Sequence, residues 1–334
     1  MSQAKSKSGL NKLLPLILKN FREWPRWWKH QSLKSRTLPL LAVLIYWGLF
    51  YYFKEFRIDH INIGMGFLAL SYGGKGGRAL LKFSLPIIIA AVIYDSMRFY
   101  SDYIRGPVHV EEPYRWEKLL FGIQTVTGIQ TPNEWWRLHT HPALDLLTGF
   151  AYLVFVFEFA LVAAYFYFIL GKKGTRTLSP ARVYEQSNKM IFNFLWLNML
   201  GWSTYYWFAA APPWYVALHG LGPAIMSTPP NPAGCLNFDL ILGTRLFIEM
   251  YSRSADVFGA IPSLHVAYPF LAVYYSFRIG ALRTFCVGFY LLMCFSAVYL
   301  NHHYIIDVIW GTAYAALVPF VSDALGRISD KKKR

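Results

Sequence analysis

The sequence predicts an all-α integral membrane protein, a helical bundle with about seven or eight transmembrane helices. Of the 334 residues, 55% are hydrophobic and only 15% are charged, whereas soluble domains carry roughly 25% charged residues. The mean hydropathy of +0.30 points the same way. Several apolar segments also approach or exceed the roughly 20 residues that a bilayer-spanning helix needs. These observations exclude an ordinary soluble domain.

Seven hydrophobic segments are clear, and each is predicted to be a transmembrane helix. In chain order they are 38–53, 79–99, 143–170, 190–211, 264–278, 283–301 and 304–322. A shorter, glycine-containing run at 61–72 is an eighth candidate. Two long polar segments remain, 100–142 and 212–262, and both are rich in Pro, Trp, His and Gly. Loops of this length in a compact protein usually carry function.

Basic residues concentrate at the two ends of the chain, which has a net charge of +15. They predict a basic N-terminal segment at 1–36, a transmembrane domain at 37–325 and a basic tail at 326–334. Clusters of this kind beside apolar spans are typical of cytoplasmic flanks that orient a membrane protein and contact anionic lipid. Nucleic-acid binding is the less favoured interpretation, and no nucleic acid is expected as a partner.

The Lys and Arg residues near the span ends predict the side of the membrane that each loop occupies. The segment 171–189 and the turn 279–283 are rich in them and are predicted to be cytoplasmic. The two long polar segments and the corner at 302–303 therefore fall on the opposite face. Seven crossings would place the basic N-terminus outside, so we favour eight, with a short crossing at 55–72.

The cysteines and the clustered histidines do not predict a metal or disulfide site. Cys235, Cys286 and Cys294 are odd in number, and two of them fall in an apolar span. His139 and His141 are spaced like a metal-binding pair, but further ligands are not evident, so no metal or other cofactor is expected. The N-terminus also lacks a short apolar core followed by a small-residue cleavage site, so a cleaved signal peptide is not expected.

Two short motifs are predicted to meet at the non-cytoplasmic face. The first, 259–265, has the sequence Gly-Ala-Ile-Pro-Ser-Leu-His and precedes a span. The second, 296–307, lies where one span ends and the next begins, and it contains His303 and Asp307. One descent and one ascent through the membrane separate the motifs, so His265 and His303 return to the same surface.

The spacing of these residues favours covalent catalysis by histidine. His303 and Asp307 are four residues apart and share a helix face. A carboxylate there can accept the proton of one imidazole nitrogen and leave the other free to attack phosphorus. His265 can then act as the general acid and base, and the backbone from Gly259 to Ser263 can bind phosphate oxygens. Taken singly, each histidine could be a buried side chain whose hydrogen bonds are satisfied within the protein. An Asp in an apolar span, however, is costly and usually has a function.

These residues resemble the type 2 phosphatidic acid phosphatase superfamily. Pro-Ser-Leu-His at 262–265 is similar to its second motif, and Ser296, His303 and Asp307 are similar to its third. The resemblance implies a six-helix core, with His303 as nucleophile, Asp307 as its support and His265 as the acid and base. The Arg that the family carries after the serine is Ala297 here, and its first motif is not found ahead of 259–265. These departures favour a phosphodiester, which carries less charge than a terminal phosphate, and transfer over hydrolysis.

A narrower branch fits the residues better. The segments 259–265 and 299–304 look like those of inositol phosphorylceramide synthases of the aureobasidin-sensitive type, and softer similarity appears at 211–215 and 132–136. The resemblance implies transfer of phosphoinositol from phosphatidylinositol to ceramide, with release of diacylglycerol and with membrane lipids as partners. A phosphoinositol intermediate on His303 is our hypothesis. The active site would face the periplasm in a bacterium or the Golgi lumen in a eukaryote.

Eight further residues are candidates for substrate binding. They are Ser263, Ser296, His302, Arg245, Arg253, Arg98, Asp95 and Asp145. For the arginines the alternative is interfacial snorkelling. For Asp145 the alternative to binding inositol hydroxyls is capping of a helix N-terminus.

Two rival functions remain open at the level of sequence. A lipid phosphate phosphatase would use the same His303 chemistry with water as the acceptor. A lipid-binding or transport protein would not depend on His265 and His303 for its activity.

Overall fold

A computed structural model describes residues 22–332, and side chains to residue 327. The N-terminal unit, within 1–88, contains α1 (22–29), α2 (Leu33–Tyr52), α3 (Ile58–Tyr72) and the first part of α4 (Gly74–Ser96). α2 packs on α3. The Trp47 indole N–H donates to the His60 carbonyl (2.8 Å).

The second unit begins at residue 89, within α4. Its helices follow α4 in this order: a 3-10 turn Met97–Phe99, α5 (Ser101–Ile104), α6 (Glu111–Phe121), α7 (Pro132–Leu138), α8 (Pro142–Ala164) with a π-helical continuation Tyr165–Leu170, α9 (Gly171–Lys173), α10 (Pro180–Trp207), α11 (Pro213–His219), α12 (Cys235–Leu242), α13 (Leu246–Tyr251), α14 (Leu264–Ile279), α15 (Arg283–Tyr299) and α16 (Ile305–Lys332). Its strands are β1 (Val108–His109), β2 (Ile123–Thr125), β3 (Gly128–Gln130) and β4 (Ala209–Ala210).

The core of this unit is a bundle in which α14 contacts α8, α10, α15 and α16. Small and medium apolar side chains on α14, such as Val266, Ala267 and Ala272, are fully buried. Polar side chains also join helices: Asn193 of α10 donates to the Tyr275 hydroxyl (2.7 Å), and the Tyr268 hydroxyl donates to Asn198. Such bonds and small residues are what hold helices together where the surrounding solvent is lipid.

The prediction of an all-α polytopic membrane protein is confirmed. Every predicted hydrophobic segment overlaps a helix, including 61–72, which lies in the 15-residue α3. By length and composition alone, four helical stretches within the described residues 22–332 could cross a membrane. They are Leu33–Tyr52, Gly74–Phe99, Pro142–Lys173 and Ile305–Arg327. The number of crossings and the six-helix count of the core stay predictions.

The two long polar segments fold into short helices and strands, and some of these pieces are joined by backbone hydrogen bonds. β1 pairs in parallel with β4, and Ala210 forms a further parallel bridge with Gly259. β2 and β3 form a small antiparallel hairpin. The first predicted motif therefore begins on a backbone ladder that joins the first polar segment, the end of the predicted span 190–211 and Gly259 of the second polar segment.

The predicted segment boundaries do not fall at helix ends. α2 begins at Leu33, before the predicted boundary at 36, and α16 continues beyond 325. The residues 1–21 of the basic N-terminal segment, and the side chains of most of the basic tail, lie outside the described part of the chain.

Candidate active site

The corner between α15 and α16 carries His302 and His303. The backbone N–H groups of both histidines donate to the Ala297 carbonyl, at 3.2 and 3.0 Å. Asn301 takes a left-handed conformation (φ 61°) that turns the chain, and Asn tolerates this region better than most residues. The local turn therefore fixes where the two imidazoles leave the backbone.

The segment that leads into α14 lies directly against the start of α16. The Ser263 N–H donates to the Asp307 carbonyl (3.0 Å). A Cβ atom placed on Gly311 would lie 2.3 Å from the Ser263 carbonyl oxygen, so only glycine permits this approach. His265 follows in the first turn of α14. The two motifs that are 38 residues apart in sequence are thus adjacent in space.

The two central histidines form a direct pair. His265 Nδ1 lies 3.0 Å from His303 Nε2, and His303 Nδ1 lies 3.0 Å from the Ala260 carbonyl oxygen. Because a carbonyl only accepts, Nδ1 of His303 carries the proton, and neutral His303 has its lone pair on Nε2. His265 Nδ1–H then donates to that lone pair. The nitrogen that could attack an electrophile is therefore the one that faces His265.

Asp307 stands behind this pair, completely buried. Its Oδ2 lies 3.4 Å from His303 Nδ1 and accepts the Tyr304 N–H at 2.8 Å. Its Oδ1 has no hydrogen-bond partner among the described residues. The structure thus brings together the three residues predicted to be catalytic, in the order carboxylate, imidazole, imidazole.

Burial keeps His303 uncharged. Removal from water disfavours the imidazolium and lowers the pKa of His303 to about 4, although its hydrogen bond to the Ala260 carbonyl works in the opposite direction. At neutral pH the imidazole is therefore a neutral base and a potential nucleophile.

His302 lies beside the pair and faces a different set of groups. Its ring stacks between those of Tyr251 and Tyr152, with centroid separations of 4.7 and 5.3 Å. Its Nε2–H donates to the Pro232 carbonyl (3.1 Å). Burial lowers the pKa of His302 well below its usual range. His302 thus helps to line the same region, where its ring lies 6.5 Å from that of His265. Its hydrogen bond also holds the loop that contains Pro232.

The predicted phosphate cradle at 259–263 is only partly available. The Ala260 N–H donates to the Ala210 carbonyl (3.3 Å), and the Ser263 N–H is used by Asp307. The expectation that the backbone from Gly259 to Ser263 can bind phosphate oxygens is therefore wrong for these two N–H groups, because the bridge to β4 and the contact with α16 already use them. The Ser263 hydroxyl is buried and has no partner among the described residues. The Ser296 hydroxyl donates to the Leu292 carbonyl of its own helix (2.7 Å).

The acidic and basic substrate-binding candidates at the end of α4 contact one another. Arg98 forms an ion pair with Asp95 and donates to the Arg253 carbonyl (3.0 Å). Arg253 and Arg245 are exposed. These bonds hold the turn at 252–254 against α4, and a role for the four residues in substrate binding stays a prediction.

Asp145 joins three helices. Its Oδ1 accepts the Tyr299 hydroxyl (2.8 Å) and the Asn237 amide (3.2 Å). The side chain that caps α8 is that of His141, whose Nδ1 accepts the Ala143 N–H. Capping therefore falls to His141, and Asp145 is buried beside the corner that bears His303.

Three buried residues that support the site escaped the sequence analysis. The Asn133 amide donates to the carbonyls of Val298 and His303, both at 2.9 Å. Glu117 accepts from the first turn of α16. Asp256 pairs with the buried Arg105 (3.0 Å) and caps the Phe258 N–H just before the first motif. Asn133 lies in the segment 132–136 that showed family similarity, and that was its only signal.

Comparisons with known proteins identify the family. The PAP2 superfamily profile matches residues 119–320, which include both motifs. The phosphoinositol dihydroceramide synthase of Bacteroides thetaiotaomicron is 35% identical over 265 residues, which cover 78% of this chain and 82% of that protein.

Two fungal proteins are similar over a smaller share of their length. The inositol phosphorylceramide synthase catalytic subunit of Schizosaccharomyces pombe is 28% identical over 70% of this chain and 51% of its own length. That of Saccharomyces cerevisiae is 27% identical over 70% of this chain and 54% of its own length. The chain thus spans about half the length of these two relatives. No solved structure matched the chain.

Proposed function

The chain belongs to the PAP2 superfamily, in the branch of the inositol phosphorylceramide synthases, and we propose that it is a lipid phosphotransferase. It moves phosphoinositol from phosphatidylinositol to the hydroxyl of a ceramide-type lipid and releases diacylglycerol. His303 is the nucleophile, His265 the acid and base, and Asp307 the group that orients His303.

One observation carries the proposal. His303 holds its Nδ1 proton against the Ala260 carbonyl and Asp307, and it presents the Nε2 lone pair to His265. A phosphoryl group that enters between the two rings has the attacking nitrogen on one side and the proton donor on the other. That arrangement suits in-line displacement at phosphorus.

In the first step, His303 Nε2 forms a bond to phosphorus while the bond from phosphorus to the diacylglycerol oxygen breaks. His265 gives its proton to that oxygen, so diacylglycerol leaves as a neutral alcohol. The negative charge of the bound phosphodiester favours the imidazolium form of His265 that this step requires. Asp307 stabilises the charge that develops on the His303 ring.

In the second step, the ceramide hydroxyl gives its proton to neutral His265, and its oxygen attacks phosphorus. The bond from phosphorus to His303 breaks and restores the free imidazole. The same two histidines thus serve both half-reactions: His265 changes from acid to base, and His303 changes from nucleophile to leaving group.

The absence of an arginine at position 297 supports a phosphodiester substrate. Ala297 is fully buried, and its carbonyl accepts from the two histidines of the corner. A phosphodiester carries one negative charge and therefore needs less cationic compensation than a phosphomonoester dianion. The name of the Bacteroides relative supports a dihydroceramide or a related lipid as acceptor.

The site belongs at the non-cytoplasmic face of the membrane. Asp323 of α16 binds Lys189 and Arg278, beside the basic segments predicted to be cytoplasmic. Asp323 follows Asp307 by 16 residues in the same helix, about 24 Å at 1.5 Å per residue. That distance approaches the roughly 30 Å of the hydrocarbon core, which supports opposite faces for the two groups.

A transfer assay tests the proposal. Purified protein in lipid vesicles receives phosphatidylinositol, with and without dihydroceramide, and both lipid products are measured. We expect phosphoinositol dihydroceramide and diacylglycerol in equal amounts, only when the acceptor is present. Release of inorganic phosphate from phosphatidic acid without any transfer product would overturn the proposal in favour of the phosphatase.

A further inference from the structure

The first turn of α16 has backbone N–H groups that need acceptors. A helix leaves its first N–H groups without partners inside the helix. At α16, Asp307 reaches back from the third helical position and accepts the Tyr304 N–H with Oδ2, as the acidic residue of a capping box does. The same Oδ2 atom faces His303 Nδ1 at 3.4 Å. One carboxylate therefore serves both the backbone and the nucleophile.

A second buried carboxylate takes the next two N–H groups. Glu117 of α6 accepts the Ile305 N–H with Oε1 (3.0 Å) and the Ile306 N–H with Oε2 (3.2 Å). Its side chain is completely buried, and it comes from a loop helix 188 residues earlier in the sequence. A buried acid so placed cannot be explained as a solvated surface group.

We propose that Glu117 is a positioning residue that keeps the Asp307 carboxylate available to His303 by occupying the Ile305 and Ile306 N–H groups. This inference rests on the proposed function, since it assigns Asp307 the task of orienting His303. Among the described residues, the hydrogen bonds of the Glu117 carboxylate go to the Ile305 and Ile306 N–H groups and not to the His303 ring.

Glu117 and Asp307 can compete for the backbone N–H donors in the first turn of α16. Without Glu117, two partly buried N–H groups would lose their acceptor, and a donor left unsatisfied away from water costs more than an ordinary hydrogen bond gains. Asp307 is the carboxylate of the same helical turn, and its Oδ1 has no partner among the described residues. Rotation of this carboxylate towards Ile305 and Ile306 would satisfy those N–H groups and withdraw Oδ2 from His303. Because Glu117 already accepts both N–H groups, Asp307 gains nothing from that rotation.

A double-mutant cycle tests the proposal, with Glu117→Gln, Asp307→Asn and both together in the dihydroceramide transfer assay. Gln keeps one acceptor oxygen but cannot accept both N–H groups. We expect Glu117→Gln to lower kcat by ~10-fold to ~100-fold, as typical for partners behind a reactive group, with little change in KM. In the Asp307→Asn background the same change should cost less than about threefold, because its target is already gone.

A matched control lies on the same helix. Glu111 is a partly exposed acid of α6 that pairs only with Arg115 among the described residues, and Glu111→Gln should leave kcat unchanged. Equal fold losses for Glu117→Gln in both backgrounds, or a normal kcat, would overturn the inference while wild-type transfer persists. Absence of transfer in the wild type, by contrast, would refute the proposed function itself.

Discussion

At the scale of single residues, the proposed chemistry depends on the His303 imidazole, whose two nitrogens have different hydrogen-bond partners and therefore different roles. The Ala260 carbonyl fixes the proton on Nδ1 of His303, and Asp307 lies behind the same nitrogen. The lone pair is left on Nε2, towards His265. The tautomer thus follows from one carbonyl oxygen, and it determines which nitrogen can bond to phosphorus.

Substitution of the paired histidines should separate their roles. We expect His303→Ala to lower the transfer rate by ~10³-fold or more, because no nucleophile replaces it. His265→Ala should cost ~10²-fold to ~10⁴-fold, as expected for loss of a general acid and base. His139→Ala should remain near wild type, because His139 is exposed and stacks on Trp135. Rates near wild type for both central variants would contradict catalysis at this site.

The pH dependence of the transfer rate should reveal the ionisation of Glu117. Burial raises the pKa of Glu117 to about 7, against the lowering effect of its two backbone hydrogen bonds, and nearby Asp307 raises it further. Only the ionised carboxylate accepts well with both oxygens, so kcat should fall on the acid side with a midpoint near pH 7. In Glu117→Gln this decline should move towards about pH 4, where His303 takes up a proton. An unchanged pH profile in the variant would contradict this assignment.

Thermal stability is a poorer reporter of the same groups, because their effects oppose each other. The lowered pKa of His303 makes the folded state lose stability as the pH falls from 6.5 to about 4, since the unfolded chain takes up the proton first. The raised pKa of Glu117 makes the folded state gain stability as the pH falls from about 7 to 4.5. Activity profiles are therefore the sharper measurement.

At the scale of elements, the site depends on the close approach of α16 to the segment that enters α14. Gly311 lies one turn beyond Asp307 and presses its backbone against the Ser263 carbonyl. The Ser263 N–H in turn donates to the Asp307 carbonyl. We call this contact between α16 and the segment before α14 the seam. It sets the separation of the two histidines, because His265 lies just after the α14 side of the contact and His303 lies just before its α16 side.

Gly311→Ala should widen the seam. The added methyl group would meet backbone atoms, which cannot rotate away, so α16 must shift. We expect a loss of transfer of ~10²-fold, since displacements of about 1 Å have such effects on catalysis, and a decrease of about 1–3 kcal/mol in unfolding free energy. Gly326→Ala in the same helix meets nothing within 4 Å and should retain activity. Full activity of Gly311→Ala would show that the seam does not position the histidines.

At the scale of the whole molecule, the candidate active site and the ion pairs of the basic loops lie towards different ends of the candidate span of α16. One end of α16 carries Asp307, and its other end carries Asp323 with Lys189 and Arg278. Charged groups are costly within lipid, so they gather at the interfaces or pair inside the protein. The proposal that the site faces the non-cytoplasmic side rests on which end holds the basic loops.

Cysteine labelling tests this orientation. His139→Cys and Lys173→Cys introduce thiols at exposed positions beside the proposed site and in the proposed cytoplasmic loop. A membrane-impermeant maleimide should label His139→Cys in intact cells or sealed vesicles of native orientation, and Lys173→Cys only after permeabilisation. The native thiols at Cys235 and Cys286 are buried and that at Cys294 is partly buried, so wild-type labelling gives the background. The reverse pattern would place the site in the cytoplasm.

Hydropathy alone predicts the helical membrane class, and the local spacing of a few polar residues points to His265, His303 and Asp307. Hydropathy is a property of each residue and sums along a span, so the apolar segments could be found without any knowledge of contacts. The i, i+4 spacing of His303 and Asp307 is likewise local. His265 could be added because consecutive spans alternate their direction across the membrane.

The contacts that hold the site in place come from distant parts of the chain and could not be read from local patterns. Asn133 reaches the corner from 165 residues away along the chain, and Glu117 reaches α16 from 188 residues away. The tertiary structure also showed that the N–H groups of Ala260 and Ser263 are already used. Such partners leave no periodic trace in the sequence, because a buried N–H or carboxylate takes whichever complementary group the folded backbone brings within about 3 Å.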